Sequence, residues 1–225
     1  MIEGLNLISF GRHDLAVLAL CGIAASAANA ATVSGQVTGP DGQAIPQAVV
    51  FVESPVPGES EAASAAPPAE MNQINKTFVP RVLPIAVGTW VRFPNKDQIH
   101  HHVYSFSRTK SFELPLYRGE TAKPVLFDKP GVVKLGCNIH DWMSGIILVL
   151  PTRHFAMTGD DGRYELSGLP PGTYSITAWH ALAREKTEDL ARPVKMAAQN
   201  LTEDFRMSLT SRRDRPGEHG ARADQ

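Results

Sequence analysis

Cys137, His140 and Met143 lie on one short stretch, Gly136-Cys137-Asn138-Ile139-His140-Asp141-Trp142-Met143-Ser144-Gly145, with the spacing C-x2-H-x2-M. Thiolate and thioether are soft donors, and imidazole suits copper in both oxidation states. That mixture points to copper, and to the kind of copper site that passes electrons. Zinc fits less well, because methionine is not among its usual ligands. Covalently attached haem would need a C-x-x-C-H run, which the sequence lacks.

The flanking residues say how the three side chains are positioned. Val132-Val133-Lys134-Leu135 leads in as a strand, and the more apolar Ile146-Ile147-Leu148-Val149-Leu150 leads out as another. The donors therefore sit on a loop between two strands and can converge. An electron-transfer copper site needs two imidazoles and a thiolate near one plane, with a weak axial thioether. One imidazole is missing from the loop. The upstream run His100-His101-His102 is the cluster that can supply it, where a strand follows the Pro94-to-Ile99 break. The thiolate would bond covalently to Cu(II) and give an electronic path. The thioether is a poor ligand for Cu(II) and a tolerable one for Cu(I). Neither oxidation state finds its preferred geometry fully met, so little rearrangement accompanies the electron.

Asn95-Lys96-Asp97-Gln98-Ile99-His100-His101-His102-Val103, followed by Cys137-x2-His140-x2-Met143, resembles the cupredoxin family of plastocyanin- and amicyanin-like type 1 copper domains. The short loop is the amicyanin-like one. The resemblance covers about residues 71–151. It implies a Greek-key β-sandwich, one type 1 copper ion, and a ligand set of His101, Cys137, His140 and Met143. It also implies that the His102 main-chain N–H and the Asn95 side chain stiffen the site. Strand alternation agrees: with His101 facing in, His100 and His102 face away. Trp142, between two ligands, is expected to cap the site and face a partner.

The chain has 225 residues and a formal net charge of -1, so no basic surface suggests nucleic acid. Its N-terminus reads as an export signal. Arg12 and His13 precede the apolar run Leu15–Ile23, and Ala28-Asn29-Ala30 offers a cleavage site. The run is too short to span a membrane. Leu20 is bulky for a lipoprotein site at Cys21. Cleavage after residue 30 would remove Cys21 and leave Cys137 as the only thiol. A lone thiol in an oxidising compartment is exposed to oxidation unless burial or a metal protects it.

The flanks read as a second β unit. Val33-x-Gly35-x-Val37 with Asp41-Gly42-x-x-Ile45-Pro46-x-Ala48-x-Val50 resembles the opening of carboxypeptidase regulatory-like, transthyretin-like sandwiches. Thr158-Gly159-Asp160-Asp161-Gly162-Arg163-Tyr164, continuing to Leu169-Pro170-Pro171-Gly172-x-Tyr174, resembles their middle. The expected organisation is all-β. Residues 1–30 form a signal peptide, and residues 32–53 with 154–210 form the regulatory-like sandwich. Residues 54–70 form a flexible linker, rich in Ser, Pro and Ala. The cupredoxin unit at 71–151 is inserted in that sandwich or packed beside it, and a disordered tail occupies 211–225.

These readings predict an exported copper protein, periplasmic or otherwise secreted. Its expected partners are redox proteins, a dehydrogenase or a c-type cytochrome. It is expected to be a monomer with no membrane span after cleavage. No Ser/His/Asp arrangement or paired carboxylate set stands out, so the sequence does not read as an enzyme. Two rivals are a copper-handling protein that would use His100 and His102, and a structural sandwich that needs no metal.

Overall fold

The computed structural model describes residues 31–57, 59, 67–120, 123–197 and 199–210. The chain begins with β1 (Ala31–Thr38) and β2 (Val49–Val52). It then runs through β3 (Ala69–Glu70), β4 (Asn72–Ile74), β5 (Thr77–Val79), β6 (Val82–Ala86), β7 (Thr89–Arg92), β8 (His101–Phe106), β9 (Ser111–Tyr117), β10 (Val125–Phe127), β11 (Gly131–Gly136) and β12 (Ser144–Leu150). It closes with β13 (Phe155–Met157), β14 (Arg163–Leu169), β15 (Gly172–Trp179), β16 (Arg192–Met196), β17 (Leu201–Thr202) and β18 (Phe205–Arg206). A short 3-10 turn, Thr187–Leu190, precedes β16. The fold is all-β, as the short alternating runs and frequent turn residues predict.

The first and last strands pair with one another. One sheet runs β14-β1-β17, with β18 also on β1, and the other runs β13-β2-β15-β16. Their facing sides share a core that includes Val33, Val37, Val50, Val52, Leu166, Ile176 and Phe205. In β1 every second residue is buried, so the period-two pattern of the sequence is the pattern of the fold. The middle strands make a separate pair of sheets, β10-β7-β3 and β6-β12-β11-β8-β9, over a core containing Phe78, Phe93, Val103, Phe127, Val133 and Ile147. The chain leaves the first sandwich after β2 and returns at β13, which lies antiparallel to β2 with Phe155 opposite Phe51.

A third apolar cluster joins the two units. Val49 and Phe51 from β2 meet Val82 from β6 and Leu148 and Leu150 from β12. This explains two runs that do not alternate. In β2, Val50 and Val52 face the first core while Val49 and Phe51 face the third. In β12, Ile147 and Val149 face the second core while Leu148 and Leu150 face the third. A strand covered on both sides has no polar face to show.

Three strand prolines fall where a missing N–H does no harm. Pro84 in β6, Pro115 in β9 and Pro193 in β16 all lie on the outermost strands of their sheets. Pro80 does break a run that reads as continuous from Phe78 to Val87: β5 stops at Val79 and β6 starts at Val82. The segment expected as a flexible linker is structured at the parts described. Val56 is buried, Glu59 accepts hydrogen bonds from Thr152 and Arg153, and Ala69–Glu70 pairs with β7. Burial and charge-assisted bonds hold these ends in place. Residues 58 and 60–66, and the segments 1–30 and 211–225 expected as signal peptide and disordered tail, lie outside the described residues. Among the described residues, no helix is long and apolar enough to cross a membrane.

Candidate metal centre

Two strand ends bring the donors together. β11 and β12 form an antiparallel pair whose last rung is Gly136 opposite Ser144, so the loop from Cys137 to Met143 closes one hairpin. Gly136 also lies opposite Tyr104 on β8, which places the start of β8 beside the start of the loop. His101 is the first residue of β8. The Cβ that any other residue would carry at Gly136 would stand 2.7 Å from the Tyr104 ring, and one at Gly145 would stand 2.9 Å from the Phe78 side chain. Both ends of the loop therefore depend on glycine for close packing.

His101, Cys137 and His140 each offer one donor atom, and these atoms lie within 4.8 Å of one another. The Cys137 Sγ is 3.7 Å from the His140 Nδ1, and the His101 and His140 rings meet edge-on with centroids 4.9 Å apart. His101 is completely buried, Cys137 is 3% exposed, and His140 is partly open. Met143 is buried in the same core as Cys137, and its main-chain N–H donates to the His140 carbonyl at 2.9 Å. The loop thus turns its first and last side chains inward and leaves Trp142 61% exposed, with its ring 5.5 Å from that of His140.

The two imidazoles differ in their surroundings. The His101 Nε2 lies 2.8 Å from an Asp97 carboxylate oxygen, to which the Nε2–H of a neutral ring donates; the buried Nδ1 is then the acceptor, and it has no partner. An acceptor stranded in the interior costs about 1–3 kcal/mol unless something fills the place of the missing donor. A metal ion beside the Cys137 sulfur would fill it, so the donor set fits copper. Burial lowers the pKa of His140, a protonated His101 or the Lys76 charge would lower it further, and Asp97 opposes them. His140 is therefore held neutral, the form that can ligate.

His102 faces the other side of β8, as expected. It is not open to solvent, however. Glu113 takes its Nε2–H at 2.7 Å, and Tyr104 lies against its ring at 5.6 Å. His100 is exposed. Among the described residues, no second cluster of metal-binding type forms around either. The Asn95 side chain does not reach the Cys137 loop in the hydrogen bonds observed. It donates to the carbonyls of Ile99 and Tyr117 and accepts the Asp97 N–H, so it shapes the loop that carries Asp97 and His101.

Sequence reasoning missed two groups that wall the site. Asp97 reads only as a strand breaker, although its position four residues before a buried histidine is a signal. Tyr117 lies opposite His101 at the end of β9. Burial pushes its phenol up to about 12; a hydrogen bond from Gln73 opposes that and the nearby Cys137 charge adds to it. Tyr117 thus stays protonated and donates to the Phe93 carbonyl. Burial works against charge on Asp97, yet the Lys76 N–H, the His101 imidazole and the Asn75 N–H outweigh it and hold the carboxyl below its ordinary value.

No family model matches the chain, and no curated relative matches it. Among solved structures, it is similar over 37% of its length to a Cu-containing nitrite reductase from Thermus scotoductus, at 30% identity and a TM-score of 0.35. The match covers 22% of the nitrite reductase chain, so this protein corresponds to under a quarter of that one. It is similar over 36% of its length to a purple cupredoxin from Nitrosopumilus maritimus, at 27% identity and a TM-score of 0.32, covering 98% of that chain. A variant of amicyanin in its oxidised state matches over 46% of this chain and 98% of its own, at 20% identity and a TM-score of 0.34.

Proposed function

We propose that this chain is an exported type 1 copper protein that passes single electrons between periplasmic redox partners, with His101, Cys137, His140 and Met143 as ligands of one copper ion. The observation that carries this reading is the meeting, within 4.8 Å, of one thiol and two imidazoles delivered by separate strand ends. Copper bound there would supply a one-electron couple. The chain's own residues do the rest. Cys137 and Met143 belong to the same buried apolar cluster as Phe93 and Val103, which keeps water from the inner side of the loop. The pairing of β8, β11 and β12 sets the distance between His101 and the loop. His140, the less covered imidazole, is the edge through which an electron enters or leaves. Trp142, Ile139 and Ile99 add exposed apolar surface near that edge, where a dehydrogenase or a c-type cytochrome would dock. The chain works as a monomeric carrier rather than an enzyme.

A copper-handling role would draw on His100 and His102 as additional donors. The commitment of His102 to Glu113 on the far face of β8 favours the electron carrier. The test is spectral and electrochemical. Purified protein given Cu(II) is expected to show an intense visible thiolate-to-copper band that is absent in Cys137→Ser, together with a reversible one-electron couple. A colourless complex in the wild type would overturn the copper assignment. Colour without reversible reduction would overturn electron transfer and leave copper handling.

A further inference from the structure

We propose that Asp97 is a positioning residue for the metal centre, fixing the tautomer and orientation of His101 and adding a negative charge that favours the oxidised state. The inference rests on the copper reading above and adds a determinant of the site's reduction potential.

Asp97 is where three pieces of backbone meet. Its Oδ2 accepts the His101 Nε2–H at 2.8 Å and the Lys76 N–H at 2.8 Å, while Oδ1 accepts the Asn75 N–H at 2.7 Å. Its own N–H is held by the Asn95 side chain at 2.9 Å. Asn75 and Lys76 form the tip of the β4–β5 hairpin with φ of 52° and 56°. Successive positive φ values suit a tight hairpin turn, and here they aim two adjacent N–H groups at one carboxylate. The side chain of Asp97 is 13% exposed and that of His101 is 0% exposed, so this hydrogen bond lies away from bulk water.

Two consequences follow from elementary electrostatics. First, a carboxylate accepting the Nε2–H makes the opposite nitrogen, Nδ1, the basic one, and Nδ1 is the buried atom with no partner. The ring is thereby presented to a metal in one tautomer and one orientation. Second, a thiolate and a carboxylate together balance the two charges of Cu(II), whereas Cu(I) leaves the site with a net negative charge in a poorly solvated interior. The oxidised state is stabilised relative to the reduced one, and the potential falls.

The test uses the copper-loaded full chain and its Asp97→Asn, Asp97→Ala and Asp97→Glu variants. Asp97→Asn keeps the shape and removes the charge. Its midpoint potential is expected to rise by about 59 mV, a tenfold shift in the oxidised-to-reduced ratio for a one-electron couple. Asp97→Ala is expected to weaken Cu(II) binding by about 10–100-fold in a chelator competition. Asp97→Glu is expected to recover part of both. A folded Asp97→Asn protein with an unchanged potential overturns the charge argument. The tautomer is tested without copper, by nitrogen chemical shifts of the His101 ring in the metal-free full chain. The wild type is expected to show the Nε2–H form and Asp97→Ala a mixture. An Nδ1–H ring in the wild type overturns the positioning role whatever the metal does. A wild type without the thiolate band but with the Nε2–H ring overturns the copper reading alone.

Discussion

Tyr104 and Gly136 face each other across β8 and β11, and the ring occupies the space that a side chain at 136 would need. The pair stands one residue before Cys137 and three after His101, so it sets how closely the two donor-bearing strand ends approach. In Gly136→Ala the new Cβ would stand 2.7 Å from the ring, and something must shift. Overpacking of this kind costs about 1–3 kcal/mol. The variant is expected to melt lower, to bind Cu(II) more weakly and to show a displaced visible band. Adding Tyr104→Ala to Gly136→Ala is expected to restore part of the affinity. Equal affinities for Gly136→Ala and wild type, measured by chelator competition, would show that the contact does not set the donor spacing.

The third apolar cluster makes a separate prediction. Leu148 is 4% exposed and lies between the two sandwiches, on the face of β12 away from the donors. Leu148→Ala is expected to cost about 2–5 kcal/mol. It should leave the visible band of the copper form where it was. Denaturant unfolding is expected to broaden or split as the two units lose their shared contact. A single sharp transition at the wild-type midpoint would mean that the cluster contributes nothing.

Glu59 ties the end of the segment after β2 to the residues just before β13. Its carboxylate accepts the Thr152 hydroxyl at 2.9 Å, the Arg153 N–H at 2.7 Å and the Val56 N–H at 2.9 Å. Burial raises its pKa, but the Val56, Arg153 and Thr152 bonds and the nearby His154 outweigh it, and the net shift is downward from 4.5. A carboxyl held low in the folded state binds fewer protons there than in the unfolded chain. Its stabilisation is therefore complete above pH 4.5 and fades as the pH falls through the lowered folded value. Glu59→Gln is expected to lose about 1–3 kcal/mol at neutral pH. The gap between wild type and variant should close on acidification, as urea midpoints across a pH series would reveal. A gap that stays constant into the acid range would assign the effect to shape rather than charge.

The local parts of this molecule were the legible ones. Cys137, His140 and Met143 share one loop, so their nearness is readable from spacing, as is the placing of His101 and His102 on opposite faces of β8. The same alternation in β1 marks the buried face of the first sandwich. Asp97 was not legible in this way, because its role depends on meeting the hairpin tip at Asn75 and Lys76, and no local pattern reports that contact. Tyr117 was hidden by Pro115, which reads as a strand stop until the strand is known to be the outermost one. The unbroken apolar runs at Val49–Val52 and Ile146–Leu150 signalled burial on two faces. They did not say that each would cover the other, since hydrophobic contact carries no address.

Val52 donates its N–H to the His154 carbonyl at 3.1 Å, so the points of departure and return of the whole middle unit are bonded neighbours. An excursion whose two stems already touch asks little of its host. The cost of closing a long loop grows only slowly with its length, and a folded insert with adjacent ends avoids most of it. The outer sandwich therefore carries its passenger much as a hairpin carries its turn. By the same geometry, a few flexible residues joining Val52 to His154 should bridge the gap that removing the passenger would leave.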